Sequence, residues 1–388
     1  MRIAVFIAAG LAVFAGILHA QSDDDEDEMD YFPLVPTGSS MHFGMRIVGG
    51  PKVSFHNVGT VPVSNSIADA NVPSFRSYND GTVGLDGRTD SGGRPSNDGL
   101  TNSWSANYAS QITSSGDVAY HLHSTNSFGT NINGGTATAS GWELQFGKSY
   151  GKIARKVDFS LIGGITFAGI NSKKSTEVTA QFTTLTDTYS LYGQVPPSMP
   201  YTAPTTQSQR LVDSNGAPVL NANGGQATQS TDASILISQN PTRVVSSTNS
   251  DGTPAIKQVQ GHWQIKGAYY TFRFGPMFQV PVTERIKLTF AFGAAASFVG
   301  TSYKEDEEIV IDDVIAPITN VQEKTRSVLL PAVFADANAE YWLTERTGFY
   351  LGATYQKSKS FNQTLDDSSA TVDLGSTSGF QSGFTLRF

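Results

Sequence analysis

The stretch that decides the fold lies at the C-terminus and reads Phe380-Gln381-Ser382-Gly383-Phe384-Thr385-Leu386-Arg387-Phe388. Apolar residues occupy its alternate positions, with Ser382 as the exception, and the residues between them are small or polar. Successive side chains of a β-strand point to opposite faces. A period of two therefore predicts a strand with one mostly aromatic face and one polar face.

Seven upstream segments repeat this pattern, and together with the C-terminal stretch they predict eight strands: 41–48, 141–147, 157–167, 269–280, 286–298, 333–343 and 349–356. The connections alternate between short ones, near 150–155, 281–284 and 344–346, and long ones, near 57–137, 172–262, 304–326 and 362–372. Short turns on one side and long loops on the other are typical of outer-membrane barrels. The sequence therefore predicts an all-β protein, an antiparallel up-and-down transmembrane barrel with long extracellular loops and both chain ends on the periplasmic side.

An alternative count of ten strands stays open. Within the first long connection, Trp104, Ala106, Tyr108 and Ile112 alternate with polar or small residues, and so do Val118, Tyr120 and Leu122. The link from Thr113 to Asp117 has the composition of a turn. This hairpin either projects above the membrane or crosses it.

The composition excludes several classes of protein. The 388 residues contain no cysteine, so disulfide scaffolds, zinc ribbons and thiol catalysis are ruled out. Charged residues make up 15% of the chain, against about 25% in an ordinary soluble domain. The formal net charge is −8, which disfavours a nucleic-acid partner. After residue 20 the longest apolar run is about ten residues, too short for a membrane helix, which needs about 20.

The first forty residues are expected to lie outside the barrel. Residues 1–20 have a basic start, an apolar run and a small residue at the end, as in a secretory signal peptide. Residues 21–40 form a predicted periplasmic tail, whose acidic run from Asp23 to Asp30 accounts for most of the negative charge. Residues 41–388 are then the barrel, with its largest loops near 57–137 and 172–262.

The C-terminal segment resembles the terminal signal of bacterial outer-membrane barrels, carried here by Phe380, Phe384, Leu386 and Phe388. With the signal peptide and the sorted loops, the chain resembles the small outer-membrane protein A and X type of barrel over its strand segments. This resemblance implies recognition by the barrel-assembly machinery and contact with outer-membrane lipid. It implies a bacterial outer-membrane location, and it brings no catalytic motif. Lys357 and Lys359, which share the outward parity beyond Tyr355, are candidates for contact with lipopolysaccharide phosphates, and solvated lysines are the alternative.

Eight charged residues are predicted to point into the barrel by strand parity: Arg46, Glu143, Asp158, Arg273, Lys287, Asp336, Glu340 and Arg387. Counted from the short turns, they fall into two layers, each with two positive and two negative groups. Buried charges need partners, because an unpaired one costs several kcal/mol. A salt-bridged interior that holds the barrel together is one interpretation of this pattern, and a narrow polar pore is the other.

The sequence favours a non-catalytic, structural or cell-surface interaction role through the loops, with an unidentified extracellular ligand, no cofactor and no metal site. A narrow passive, porin-like channel is the alternative, and an outer-membrane enzyme using His56 or His262 is a weaker hypothesis. Asp80, Asp86 and Asp90 fail the spacing of a calcium loop. His121 and His123 lack a third metal ligand in the sequence. The acidic run Glu305–Glu308 is expected to be solvated.

Overall fold

The computed structural model describes residues 38–63, 69–89, 94–204, 207–210, 213–214, 217–220, 222–226, 228–231, 234–309, 311 and 318–388. The predicted signal peptide and all but the last three residues of the predicted tail lie outside the described residues. Among those described, no helix has the length and apolar character needed to cross a membrane.

The described residues form twenty strands and one 3₁₀ helix, Ala109–Gln111. In chain order the strands are β1 Ser39–His56, β2 Arg76–Tyr78, β3 Gly81–Val83, β4 Leu100–Thr101, β5 Trp104–Ala106, β6 Val118–Asn126, β7 Asn131–Ala154, β8 Val157–Tyr189, β9 Tyr201–Thr202, β10 Gln207–Arg210, β11 Thr228–Thr231, β12 Ile237–Ser238, β13 Thr242–Ser246, β14 Ile256–Pro281, β15 Ile286–Ile309, β16 Ile318–Trp342, β17 Thr347–Lys357, β18 Ser360–Leu365, β19 Ser368–Asp373 and β20 Thr377–Arg387.

Eight antiparallel strands close into a ring. The order is β1, β7, β8, β14, β15, β16, β17 and β20, and β20 pairs back with β1 through a register that includes Phe43 opposite Phe384. Each of the eight predicted strand segments overlaps one of these eight strands, with Leu343 and Phe388 just beyond the ends of β16 and β20. A closed ring leaves no free sheet edge over the paired length, which is how antiparallel proteins avoid unpaired backbone groups.

The connections sort by length onto the two ends of the ring, as the sequence predicts. Residues 155–156, 282–285 and 343–346 make the short turns at what we call the lower end. The chain enters and leaves at this end too, because the Ser39 amide donates to the Phe388 carbonyl over 2.9 Å. The long connections all lie at the upper end.

The ring strands are much longer than the sequence patterns suggest. β8 continues to Tyr189 and β14 begins at Ile256, so both extend into the predicted loop near 172–262, and β7 begins inside the predicted loop near 57–137. Above Asn171 the outward side chains of β8 are Lys, Ser, Thr and Glu, while Val178, Ala180 and Phe182 stay buried. The outer face becomes polar there, so the composition imitates a loop although the strand continues.

The predicted hairpin at 104–122 does not join the ring. β6 pairs with the upper part of β8, from Val118 opposite Tyr189 to Asn126 opposite Gln181. β5 belongs to a separate four-stranded sheet with β2, β3 and β9. The two halves of the predicted hairpin thus lie in different sheets at the upper end.

Candidate functional site

Four of the predicted interior charges form one connected cluster across the ring, which we call the upper charge layer: Arg46, Glu143, Arg273 and Asp336. Arg273 donates from Nη2 to Asp336 Oδ2 over 2.5 Å. Its Nη1 lies 3.8 Å from Glu143 Oε2, and Arg46 Nε lies 3.7 Å from the same oxygen. All four residues are more than nine-tenths buried. Residues from four different strands thus come into contact across the ring.

Neutral side chains complete this layer, and sequence reasoning missed them. Thr354 accepts from Arg46 Nη2 over 2.5 Å and donates to Asp336 Oδ1 over 2.7 Å. The Tyr350 hydroxyl donates to Glu143 Oε1 over 2.6 Å. Both residues occupy inward-facing alternate positions on β17, so strand parity could have identified them as interior residues. The Arg273 guanidinium also lies 3.9 Å from the Phe334 ring centroid. The layer thus spans the interior.

The other four predicted charges lie nearer the lower end and are less tightly connected: Asp158, Lys287, Glu340 and Arg387. Among the described residues, no ion pair within 4.0 Å joins any two of the four. Glu340 instead accepts from Thr289 over 2.6 Å, and Arg387 and Lys287 lie over the Trp342 ring. Arg387 is only partly buried. A cavity of about 730 Å³, lined by Asp158, Lys287 and Arg387, lies at this lower end.

An apolar core fills the interior above the upper charge layer. Its largest fully buried members are Trp263, Tyr303, Phe55 and Ile265. The Phe55 and Tyr303 rings stack with centroids 5.8 Å apart. This core lies directly above the upper charge layer, and the side chains of both are buried.

Two carboxyl groups, Glu305 and Glu307, lie within this packed interior. They are 3% and 0% exposed, so the expectation that the run Glu305–Glu308 is solvated is wrong for these two. Both occupy the same set of alternate, inward-facing positions on β15 as Lys287. Strand parity, extended further along β15, would therefore have placed them inside the ring. Glu307 Oε1 accepts from the Trp263 indole over 3.0 Å and from the Gly59 amide over 2.6 Å.

The two carboxyl groups lie close enough together to repel each other when both are charged. Tyr303 and Ser368 donate to Glu305 Oε2. Glu307 Oε2 has no donor among the described residues. Burial, and then repulsion from Glu305, raises the pKa of Glu307 from its ordinary 4.5 to about 7. Two adjacent carboxyl groups cannot both be charged at low cost, so one holds the shared proton.

We expect this pair to make stability fall as pH rises. A carboxyl group whose pKa is raised by folding binds more protons in the folded state between about pH 4.5 and 7. The stability is therefore fully present below about pH 4.5 and is lost as pH rises through 7, by about 3 kcal/mol. Urea unfolding in detergent between pH 5 and 8 measures this slope. Glu307→Gln should flatten it, whereas Glu308→Gln, on the outward face, should not, and equal slopes in all three proteins would contradict the assignment.

The long connections build an ordered domain above the ring, with an apolar core of its own. Tyr120, Tyr189, Trp104, Leu191 and Ile237 are among its buried residues. The Trp104 indole donates to the Ile235 carbonyl over 2.7 Å. Residues more than a hundred positions apart thus pack together, and the alternating apolar residues at 104–122 were the part of this core that the sequence indicated.

Asp187, fully buried on β8, ties three segments of this upper domain together. Its carboxylate accepts from both Arg243 Nε and Nη2, over 2.7 and 2.6 Å, and from the Tyr78 hydroxyl over 2.6 Å. Tyr78 also shares a hydrogen bond of 2.8 Å with Tyr189. A bidentate arginine pair fixes orientation as well as distance, so Asp187 holds β2 and β13 against β8.

Asp187→Ala should loosen the upper domain while leaving the ring folded. The change removes the acceptor of three charge-assisted hydrogen bonds, and we expect a local loss of about 2–3 kcal/mol. Trypsin should then cut the long connections at least several-fold faster than in the parent chain. Asp251→Ala, in an exposed turn of the same domain, is the control. Unchanged cleavage of the Asp187 variant would show that this carboxylate does not hold the domain.

The outward face of the ring carries an apolar band with aromatic rows at two heights. The upper row runs through paired neighbours on adjacent strands, Trp142, Phe167, Tyr270 and Phe298. The Phe167 and Tyr270 rings lie 5.1 Å apart. On β15 the band extends from Phe298 down to Ile286, about 30 Å at a strand tilt of about 40°. At the C-terminus Phe380, Phe384 and Phe388 are exposed on this face, and Leu386 is half-buried.

The weaker chemical candidates have ordinary partners. His56 contacts Asn131 Oδ1 over 2.8 Å and Thr371 Oγ1 over 3.0 Å, and His262 is exposed on the outer face. His121 Nδ1 lies 2.6 Å from Asp80, and Asp86 accepts from Arg88. Asp90 lies outside the described residues. No group of three or more His, Asp or Glu side chains suited to a metal ion occurs in the part of the chain that the structure describes.

Comparisons with known proteins find similarity only among solved structures. No protein-family model matches the chain, and no curated protein matches its sequence. Ail, the attachment invasion locus protein of Yersinia pestis, in complex with the heparin analogue sucrose octasulfate, matches at 8% identity and a TM-score of 0.23, over 90% of this chain and 99% of Ail. The outer membrane protease OmpT of Escherichia coli matches at 9% identity and 0.29, over 91% and 98%. OmpT belongs to the outer-membrane class that the sequence resembles, but TM-scores below 0.5 do not bear on what this chain does.

Proposed function

We propose that this chain is a bacterial outer-membrane β-barrel that does not conduct and does not catalyse, and that presents its upper domain as a surface for interaction outside the cell. The eight ring strands cross the membrane, the short turns and both chain ends face the periplasm, and the long connections face outward. An unidentified extracellular ligand is the partner of the upper domain.

The observation that carries this proposal is the reversal of polarity across the ring wall. Outside are apolar and aromatic residues such as Phe292 and Phe274, half exposed or more. Inside, at the same heights, are the ion-paired residues of the upper charge layer. Lipid cannot satisfy backbone polar groups, so a membrane is crossed by helices or closed sheets. A soluble protein with this outer face would expose an aromatic surface far larger than monomers tolerate.

The remaining partners follow from the same placement. The aromatic rows lie where lipid headgroups meet the hydrocarbon, and lysines above them, including Lys357 and Lys359, suit the phosphates of lipopolysaccharide. Phe380, Phe384, Leu386 and Phe388 form the segment proposed for recognition by the barrel-assembly machinery. Their exposure on the outer face of β20 is consistent with reading by another protein before insertion.

A narrow passive channel is the second candidate, favoured by the 730 Å³ cavity at the lower end. Lys287, Arg387 and Asp158 line this cavity, which gives it the polar wall of a solute pathway. The upper charge layer and the apolar core above it oppose through-passage. Conductance separates the two candidates.

Single-cysteine labelling tests the proposed placement, because the chain has no cysteine of its own. Ser115→Cys lies in an exposed turn of the upper domain, and Glu345→Cys lies in an exposed short turn at the lower end. We expect a membrane-impermeant maleimide to label the first on intact cells and the second only after lysis. Labelling of Glu345→Cys on intact cells would show that the short turns face outward, opposite to the proposed orientation. A lack of heat-dependent gel migration would contradict the proposal that the chain is a barrel.

A further inference from the structure

The wall of the ring has a window between β7 and β8. Their ladder runs upward from the short turn and ends with Gly141 opposite Ala168. On that edge β8 next pairs with β6, beginning at Gln181 opposite Asn126. The intervening twelve residues, 169–180, have no ladder partner on that edge among the described residues. β7 meanwhile stays paired with β1 up to Asn131.

Irregular pairing explains why the two strands separate. The β1–β7 register shifts between Gly49 and Lys52 and again between Val53 and Ser54. A β-bulge bends its strand and increases the local twist. The β1–β7 pair therefore turns away from β8 just above the last shared rung. In the lower part of the window, Ser172 Oγ donates to the Gly134 carbonyl over 2.9 Å.

The window opens immediately above the upper aromatic row. Trp142 and Phe167, whose rings stack 5.9 Å apart, flank the last shared rung. If the ring is placed in the membrane as proposed, the window faces the headgroup level of the outer leaflet. This inference therefore rests on the proposed function.

A cavity of about 300 Å³ occupies the window and joins an apolar interior to a charged rim. Val53, Ala139 and Ile170 line its inner part, and all three belong to the apolar core of the ring. Ser140 and Ser172 line it too. Most of the lining is apolar, with a few polar groups, which is the usual character of a small-ligand site.

Lys266 lines the same cavity from β14, with its side chain exposed. It makes no ion pair within 4.0 Å with any described residue. One step higher on the same outward face, Lys173 and Lys304 both pair in register with Gln264. Lys304 also faces Glu323 on β16, so Lys266 is the basic residue at the cavity itself. An apolar slot beside Lys266 suits a hydrocarbon chain that ends in an anion.

We propose that the β7–β8 window binds a single-chain lipid with an anionic headgroup, drawn from the outer leaflet. The acyl chain enters the slot lined by Val53, Ala139 and Ile170, and the headgroup is held by Lys266. Burial of the chain supplies affinity through the apolar area removed from water, and the lysine supplies selectivity for the charged head.

Native mass spectrometry of the full chain, released from micelles with dodecyl phosphate added, tests this proposal. The parent chain should hold one dodecyl phosphate, and should hold dodecanol, the neutral match, at least about tenfold more weakly, since one well-placed charge contact supplies about 1.4 kcal/mol. Lys266→Glu should weaken the binding of dodecyl phosphate by a similar factor. Lys357→Glu is the charge control, because it reverses the charge of an exposed lysine on β17. It should leave the binding of dodecyl phosphate unchanged.

Glycine positions on β8 give a steric test. A Cβ at Gly169, which lines the cavity, meets no atom within 4 Å, and the same is true at Gly163 lower on the same outward face. Gly169→Trp should fill the window and abolish binding, whereas Gly163→Trp should bind as the parent does. Equal binding by the two variants, or equal binding of dodecanol and dodecyl phosphate, would overturn the proposal.

Heat-dependent gel migration of the same samples separates this inference from the proposed function. If the protein is heat-modifiable but binds no dodecyl phosphate, the proposed site in the window is contradicted and the barrel is not. If the protein is not heat-modifiable, the proposed function is contradicted, and so is the outer leaflet as the source of the ligand.

Discussion

Asp336→Ala is expected to lower the free energy of unfolding by about 3–5 kcal/mol, the cost of breaking a buried charge pair by removing one partner. Asp336 accepts from Arg273 over 2.5 Å and from Thr354 over 2.7 Å, and Thr354 in turn accepts from Arg46. Without this carboxylate, two buried guanidinium groups share Glu143 alone. Both guanidinium groups are more than nine-tenths buried, so solvent compensates little for the lost partner.

Urea titration of the detergent-solubilised chain measures this loss. Asp306→Ala, on the outward face of β15, is the matched control and should change stability by less than about 0.5 kcal/mol. Asp336→Asn should fall between the two, because the amide keeps a hydrogen-bond acceptor but not the charge. A loss below about 1 kcal/mol for Asp336→Ala would mean that the upper charge layer is hydrated rather than closed.

Trp263→Ala is expected to cost a similar amount, about 3–5 kcal/mol, for a different reason. The Trp263 side chain is fully buried in the apolar core above the charge layer, and its indole donates to Glu307 Oε1. The change leaves a cavity in a closed interior and removes a donor from the Glu305–Glu307 pair. We also expect the pKa of Glu307 to rise further, because a donor to a carboxylate favours its charged form.

The control for this variant is His262→Ala, one residue away on the exposed outer face of β14. The urea midpoint should move by a small amount at most for His262→Ala and by a large amount for Trp263→Ala. Trp263→Phe keeps an aromatic ring in the core but removes the hydrogen bond to Glu307. If it recovers about half of the stability lost in Trp263→Ala, the contributions of packing and of the hydrogen bond can be separated. Equal midpoints for the alanine variants at positions 262 and 263 would place the interior in contact with solvent.

The lower half of the ring was predictable because its outer face is apolar and its interior is polar, so alternate residues differ in character. That contrast is strong from Phe290 to Phe298 and from Phe380 to Phe388, and it gave both the strands and the inward charges. Counting from the short turns also grouped the four residues that form the upper charge layer. Parity and height, which are local properties, sufficed for these predictions.

The upper half escaped prediction because its contrasts are weaker and its contacts are not local. Once the outer face meets water, as at Lys173 and Ser175 on β8, both faces of a strand tolerate polar residues. The burial of Glu305 and Glu307 depends on Trp263 and Gly59, which lie far away in sequence. The Trp104–Ile235 contact and the β7–β8 window depend on pairings between distant segments, which no single-segment pattern encodes.

The central claim is that the ring is closed to passage, and planar-bilayer conductance tests it most directly. The parent chain, reconstituted from a heat-modifiable preparation, is expected to add no ion-conducting steps above the bare bilayer, because the upper charge layer and the Trp263 core fill its interior. Stable, reproducible steps from the parent chain would contradict the account and would favour the narrow passive channel.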